Sequence, residues 1–595
     1  MIDERSVSKS HLTSYDALYI FILTSISLAI RLWVIYHPDG PAFDEVHFGN
    51  FTNWYTKSQF FFDIHPTLGK LLMFGFANLS EYDGNLGFHS TRHYSSCSYI
   101  SLRVTPAIFS ALCCPLIYLT LRFTGFGYLS AITASILLIT DTSLATEGRF
   151  ILSDGILHFF CCLHFAIICY TFSIYDCNYY IYLKQIDNSN KNVNMNHNTT
   201  EIEDDFDTVN IDFDLINIYD ADVSIKERKF SKNNNKLRQK RIISINQTNC
   251  KTEMKFNRAR FNFFHILTGI SLGAACSVKN TAWGLMVFDA YIYIVGFLPL
   301  LNFSIFDYLF DVFIYGVSLF LIMISVYIIS FFIHFIVLPF AGQGTGYLPE
   351  DMKKQLIPNQ QVNCSLWFKR IAGPSLLYKT FKVSLIMHNG NMGIKSFHMS
   401  QSRPNNWPLL TGIDVGFWGG DGQEIRCHGN VFSYYFAFIG VILCTFPSFL
   451  KEKMKFNKDL RKNNEKEQQK LDKINFLNSL HDYLVELRFT IGWLASYLPF
   501  YLIPRTLFLY HYLIPLMIGC CAFGASLEIL IKSKRIRGTI AFATWILAFF
   551  GFWLWMPLVY GKYMHERDIM IWNQNWISGD KQYKIEQKSD RLKPK

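Results

Sequence analysis

Charge is scarce in this chain. Asp, Glu, Lys and Arg make up 17% of its 595 residues, where an ordinary soluble domain carries about a quarter. Half of the residues are hydrophobic, 55 are Phe, and the apolar ones gather into runs of roughly 17–25, the length a helix needs to cross a bilayer. A soluble protein would have to hide too many unbroken apolar runs, so the composition excludes that class. Metal-type cysteine spacing is also missing. Cys113-Cys114, Cys161-Cys162 and Cys520-Cys521 lie inside apolar runs, where cysteine acts as a small hydrophobe. There is no internal repeat and no cleavable secretory signal. Residues 1–16 are polar, with Asp3, Glu4, Arg5 and Lys9, so the first span is expected to serve as an uncleaved anchor. The net charge of +10 sits in loops, which argues for membrane orientation and against a nucleic-acid partner.

The apolar runs predict an all-α polytopic membrane protein with about eleven transmembrane helices, at 17–36, 99–121, 126–145, 152–175, 262–279, 282–300, 308–340, 429–449, 487–503, 511–531 and 538–560. Lys279-Asn280 argues for two spans across 262–300 with a polar junction, and 308–340 is long enough to tilt or protrude. Loop charge orients the chain. The segment 451–473 holds nine Lys/Arg against five Asp/Glu, the turn 532–537 is basic, and 226–241 carries eight Lys/Arg. All three fall on the cytosolic side if the N-terminus is cytosolic. The loops 37–98 and 341–428 then face the opposite side.

These limits divide the chain into an N-terminal membrane region with its first non-cytosolic loop (1–176), an insert (177–261), spans five to seven (262–340), a long loop (341–428), spans eight to eleven (429–560) and a tail on the non-cytosolic side (561–595). The insert is rich in Asn, Asp and Lys with little periodicity and reads as a disordered cytosolic loop.

The first non-cytosolic loop carries the densest set of proton-transfer groups: Asp44-Glu45-Val46-His47, then Asp63-Ile64-His65-Pro66 and Lys70. A carboxylate beside a membrane can take a proton from an acceptor hydroxyl, its basicity raised by partial burial. Taken alone, a hydrated Asp-Glu pair is common. The second segment reads equally as a capped helix N-terminus, with Lys70 able to meet a lipid phosphate. Arg31, Arg103 and Arg149 sit at span ends on the same face, and Lys279 at the polar junction. Arginine buried in lipid needs an anionic partner, and a phosphate diester is one. Snorkelling to the headgroups competes for each of them, and Asp154 is a ready partner for Arg149. Arg505 and His511 close the polar features of that face, among tyrosines an aromatic belt would also explain.

Together these segments resemble the protein O-mannosyltransferases, a family of the GT-C class (glycosyltransferase family 39). The family's DEVHFGGF appears here as Asp44-Glu45-Val46-His47-Phe48-Gly49-Asn50-Phe51, and its FFxDVHPPLAK or PPLGK as Phe61-Phe62-Asp63-Ile64-His65-Pro66-Thr67-Leu68-Gly69-Lys70. Its RYILLD, SxPxxWP and FLYHY segments match 149–154, 402–408 and 508–512. Asn50 and Thr67 depart from Gly and Pro.

The resemblance implies a GT-C fold and transfer of mannose from dolichyl phosphate mannose to Ser or Thr hydroxyls of polypeptides in the endoplasmic reticulum lumen, with inversion. It makes Asp44 the base and Glu45 a residue that positions the acceptor or the base. Arg31, Arg103, Lys70, His65, Arg149 and Lys279 are assigned to the donor phosphate or active-site structure. His47, Asp63, Arg403, Trp407 and His511 are assigned to acceptor or site support. No cofactor or metal is required in principle, because the leaving group is already a phosphate. Membrane lipids and a homo- or heterodimer with a paralogue are the implied partners. The departure is size: the loop 341–428 has 88 residues, too few for the family's lumenal MIR domain. Cys364 and Cys427 in that loop are expected to form a disulfide, with Cys97 as the competing partner. The other readings are transfer of a different polyprenyl-linked sugar, a silent subunit of an active paralogue, and a transporter.

Overall fold

In the computed structural model, the described residues are 12–89, 93–174, 258–302, 304–357, 375–420, 423–445, 480–481, 483–562 and 572–576. Met1–Ser173 with Phe263–Lys595 form one unit and Ile174–Asn262 another. The insert lies almost wholly outside the described residues, as do Cys364 and the basic loop 451–473.

Thr13 opens the first membrane helix, α1 (Ser14–Leu32), through a capping box in which the Asp16 carboxylate accepts the Thr13 N–H at 2.7 Å. Asp16 is buried, where Arg122 Nε (2.6 Å) and Tyr118 Oη (2.7 Å) donate to it. Those two residues come from α4 (Ser98–Phe123), so one cap also joins two spans. Between them the first loop folds into two short helices, α2 (Glu45–Thr56) and α3 (Leu68–Leu79).

The expected span 126–145 is broken into α5 (Tyr128–Ile139) and α6 (Thr142–Glu147). Asp141 explains the break: its carboxylate caps α6 by accepting the Leu144 N–H at 2.8 Å and takes the Asn430 N–H at 3.1 Å. A carboxylate used this way ends one helix and starts the next. Further helices are α7 (Asp154–Ile174) and α8 (Arg258–Val278), then α9 (Leu285–Gly296), preceded by a 3₁₀ turn at Asn280–Gly284. The polar junction expected at Lys279-Asn280 is therefore present. α10 (Ile305–Val337) has 33 residues, about 50 Å at 1.5 Å per residue, well beyond a hydrocarbon core of roughly 30 Å.

The loop after α10 is tied to the first loop by main-chain bonds, Phe60 N–H to Phe340 O (2.8 Å) and Phe340 N–H to Ser58 O (3.1 Å). It holds α11 (Leu376–Met392) and the hairpin β1 (Val415–Gly420) and β2 (Gln423–Cys427), the only sheet among the described residues. The chain ends in α12 (Val431–Thr445), α13 (Arg488–Tyr497), α14 (Leu513–Leu530) and α15 (Lys534–Tyr560). Among the described residues, eight helices are long and apolar enough to cross a membrane; α5 and α12 are shorter apolar helices, and α13 has ten residues. This is a multi-pass membrane protein.

The expected disulfide is not formed. Cys427 is a free, buried thiol whose Sγ donates to Ser143 O at 3.7 Å, and Cys97 is free and exposed. Cys427 faces inward along β2, against α6, and is used as a packing residue.

Candidate active site

Asp44 and Glu45 stand side by side and do opposite things. Glu45 is fully buried, with five hydrogen bonds on its carboxylate. Oε1 accepts from Arg103 Nε (2.8 Å) and Ile151 N (2.9 Å). Oε2 accepts from Arg103 Nη2 (2.7 Å), Ala42 N (2.9 Å) and Tyr94 Oη (3.1 Å). Glu45 touches no open space, and protein donors take up its carboxylate. Asp44 occupies the N-cap of α2 without capping it. Its carboxylate is half-buried and makes no hydrogen bond or ion pair among the described residues. Burial raises its pKa above the ordinary aspartate value, opposed by His47 and Lys279 and assisted by Asp154 and Asp63. A half-buried carboxylate with free lone pairs and raised basicity suits a general base.

The six residues assigned from sequence to the donor phosphate separate when their donors are counted. Arg103 has five N–H groups, and Glu45 with the carbonyls of Ile35, Pro38 and Gly40 uses all of them. Arg149 binds the carbonyls of Ile30, Arg31, Trp33 and Val34 at the C-terminal end of α1, with the Tyr560 ring 4.6 Å from its Cζ. There it satisfies orphan carbonyls and the negative end of the helix dipole. Arg31 is buried between α1 and α4, on Ser110 Oγ (3.0 Å), Ser27 O (3.4 Å) and Cys114 Sγ (3.7 Å). Lys70 uses its three donors on Asp63, His65 O and Pro66 O, closing the Asp63–Pro66 turn on itself. None of these four faces an open site. His65 is held neutral: burial and the nearby Lys279, Lys70, Arg505 and His511 push its pKa well below the usual imidazole range. Its buried Nδ1 has no partner, so it offers a hydrogen bond but no charge.

Lys279 remains. Its Nζ gives one bond to Asp154 Oδ1 (2.7 Å) and lies 5.2 Å from the centre of the Tyr510 ring, leaving two N–H groups. Asp154 therefore pairs with Lys279, not with Arg149. The loop reaches this pair because Gly69 carries no side chain; a Cβ there would meet Val278 at 2.9 Å and Ser153 at 3.0 Å. Behind the pair sits Glu147, buried with Oε2 unpartnered. Burial first, and then Asp154, raise its pKa well above the ordinary value.

Arg505 is the cation that sequence reasoning did not assign to the phosphate. It acts electrostatically on Asp44 and Tyr510, donates Nη1 to Asn391 Oδ1 and Nε to Thr506 O, and keeps Nη2 without a partner among the described residues. Its only signal in the sequence was its position six residues before His511 in the FLYHY segment. His511 is buried against Tyr510 (4.7 Å) and parallel to Trp407 (6.2 Å, 12°). Trp407 is wholly buried and donates Nε1 to Ser402 (2.8 Å), so both support the site floor. His47 is exposed and acts on Asp44. Arg403 is exposed, with no side-chain hydrogen bond among the described residues, and is not brought into the site. The assembled constellation is Asp44 as a free carboxylate, Lys279 and Arg505 as cations with spare donors, His65 as a neutral imidazole, and His511 in the wall beside them.

Residues 21–178 match the family described as dolichyl-phosphate-mannose-protein mannosyltransferase, and residues 376–579 match the C-terminal four-transmembrane region of protein O-mannosyltransferase. Mannosyltransferase 4 of Schizosaccharomyces pombe is 37% identical over 152 residues, 25% of this chain and 19% of that protein. Mannosyltransferase 3 of Saccharomyces cerevisiae is 39% identical over 140 residues, 23% of this chain and 19% of that protein. The chain thus spans about a fifth of the length of these curated relatives. The fold matches the S. cerevisiae Pmt1–Pmt2 complex bound to the sugar donor, with a TM-score of 0.69 at 16% identity over 97% of this chain and 96% of that one. The two matched segments take in more than half of the sequence, and the chain belongs to the protein O-mannosyltransferase family.

Proposed function

We propose that this protein transfers mannose from dolichyl phosphate mannose to Ser or Thr hydroxyls of polypeptides, with inversion at the anomeric carbon. The observation that carries the proposal is the contrast between Asp44, whose carboxylate has no protein partner, and Glu45, whose carboxylate is saturated. The acceptor hydroxyl gives its proton to Asp44 as its oxygen bonds to C1. The C1–O bond to the phosphate breaks with its electron pair, leaving dolichyl phosphate. Lys279 and Arg505 bind the phosphate oxygens as charge builds on them, where fixed donors stabilise the transition state more than the ground state. Asp154 fixes Lys279, and His511 with Tyr510 forms the wall beside it. The chemistry calls for no cofactor, and chelation should leave turnover unchanged.

The site belongs in the lumen of the endoplasmic reticulum with the N-terminus in the cytosol, supported by the loop charges. One solved structure with this fold is a Pmt1–Pmt2 complex, which supports assembly with a paralogue here. The test is incubation of the purified protein, alone and co-purified with a paralogue, with dolichyl phosphate mannose and a Ser/Thr-rich peptide. A peptide gaining one hexose as the α-anomer, and losing that gain when this chain carries Asp44→Asn, supports the reading. Transfer by the complex that survives Asp44→Asn replaces it with the silent-subunit reading, and no mannose transfer in either form replaces it with the other-sugar reading.

A further inference from the structure

The residue before Asp44 is in an unusual conformation. Phe43 has φ +50°, a left-handed region that bulky L-residues rarely occupy and that persists only where the surroundings over-determine it. The hairpin supplies those surroundings. In its ladder Gly416 pairs with Arg426 and Trp418 with Ile425, so Phe417 is the extra residue of a β-bulge. A bulge frees backbone groups from the ladder, and they need partners elsewhere. The Phe417 carbonyl accepts the Phe43 N–H at 2.8 Å. Its ring stacks on the Phe43 ring with centroids 4.5 Å apart and planes at 23°, and lies 5.6 Å from the ring of Phe150.

The hairpin is itself immobilised. Arg426 grips Asp414 and donates to Trp576 O at 3.2 Å, while its carbonyl accepts from Thr146 Oγ1 at 3.2 Å and Cys427 Sγ donates to Ser143 O. The turn around Asp44 is therefore held twice. Glu45 takes the Ala42 N–H, and Phe417 takes Phe43.

We propose that Phe417 is a positioning residue for Asp44: carbonyl and ring together hold Phe43 left-handed, which keeps the Asp44 carboxylate clear of protein partners and aimed into the site. The proposal rests on the reading of Asp44 as the base.

The test compares kcat and donor affinity of the full-length protein with those of Phe417→Ala, Phe43→Gly, Phe43→Val and the Phe43→Gly/Phe417→Ala double variant. Phe417→Ala should lower kcat on the order of tenfold or more, a sub-ångström misplacement being enough, with donor affinity within about twofold. Glycine takes positive φ as readily as negative, so the double variant should be at least about threefold faster than Phe417→Ala. A merely structural Phe417 gives no such rescue. Should Phe417→Ala fail to fold, position 43 decides alone. Valine resists positive φ and should lose on the order of tenfold in kcat, while glycine stays within about threefold of wild type. Equal behaviour of Gly and Val at 43, an unchanged kcat in Phe417→Ala, or a double variant no faster than Phe417→Ala overturns the proposal. Asp44→Asn, measured in parallel, separates the two readings: its retained turnover would remove the base itself, whatever the Phe417 series shows.

Discussion

Glu45→Ala tests the clamp at the base of the site. Five donors end on this carboxylate: two from Arg103, the main-chain N–H groups of Ala42 and Ile151, and the Tyr94 hydroxyl. Without it the Arg103 guanidinium stays in the interior facing three carbonyls and no anion. Removing one partner of a buried ion pair costs about 3–5 kcal/mol, a large share of a total stability of about 5–15 kcal/mol. Arg103→Ala should cost a similar amount, because Glu45 is then the stranded charge. The double variant should cost less than the sum of the singles by at least about 2 kcal/mol, since each partner matters chiefly while the other is present. Glu45→Gln keeps one acceptor but turns an NH₂ toward donors, costing about 1–3 kcal/mol for each donor left unpaired. The assay is equilibrium unfolding in detergent, with donor binding recorded beside it. Single costs that add to within about 0.5 kcal/mol would refute the clamp, as would a Glu45→Ala protein within about 1 kcal/mol of wild type.

Asp44→Asn should abolish transfer yet raise the melting temperature at neutral pH. Burial raises the folded-state pKa of Asp44, so its charge opposes folding above that pKa and the opposition fades as pH falls through it; a variant less stable than wild type at pH 7 would contradict this. By the same direction, kcat/KM should rise with pH through an acid limb lying above the ordinary aspartate value of 3.8, and an acid limb at or below 3.8 would exclude Asp44 as its source. Lys279→Ala and Arg505→Ala should each weaken donor binding on the order of tenfold, the worth of a charged hydrogen bond, whereas Arg149→Ala should lower stability and leave donor affinity unchanged; donor titration beside thermal melts distinguishes the two patterns. Lys70→Met should strand Asp63 and lower the melting temperature, and an unchanged melt would show that the Asp63–Pro66 turn holds without it.

Much of this was legible in the residues themselves. Apolar runs longer than a bilayer is thick force membrane helices, because backbone polar groups in lipid must be satisfied within the segment. Local rules also placed the polar junction at Lys279 and the carboxylate-rich loop at Asp44. The break at Asp141 was not readable, since an aspartate inside an apolar run ends a helix only if its side chain turns to cap the next one. The bulge at Phe417 was hidden for a related reason: register depends on two strands, and one strand alone does not show which residue is skipped.

The identity of the base candidate, the motif segments and the presence of many apolar runs are one-dimensional properties that the sequence alone determined, whereas the number and breaks of the spans are not. The sorting of the cations was decided by tertiary structure. Arg31, Arg103, Arg149, Lys279 and Arg505 are chemically similar on paper. What separates them is what surrounds their N–H groups: Arg31, Arg103 and Arg149 are enclosed by structural partners from distant parts of the chain, whether or not every N–H is used. Arg103 meets residues 35, 38, 40 and 45 and is saturated, while Lys279 meets Asp154 alone among hydrogen-bond acceptors and keeps donors to spare. Whether a charge is structural or available to a substrate depends on which donors are satisfied and where the remainder are enclosed in three dimensions, and no local sequence pattern carries that information.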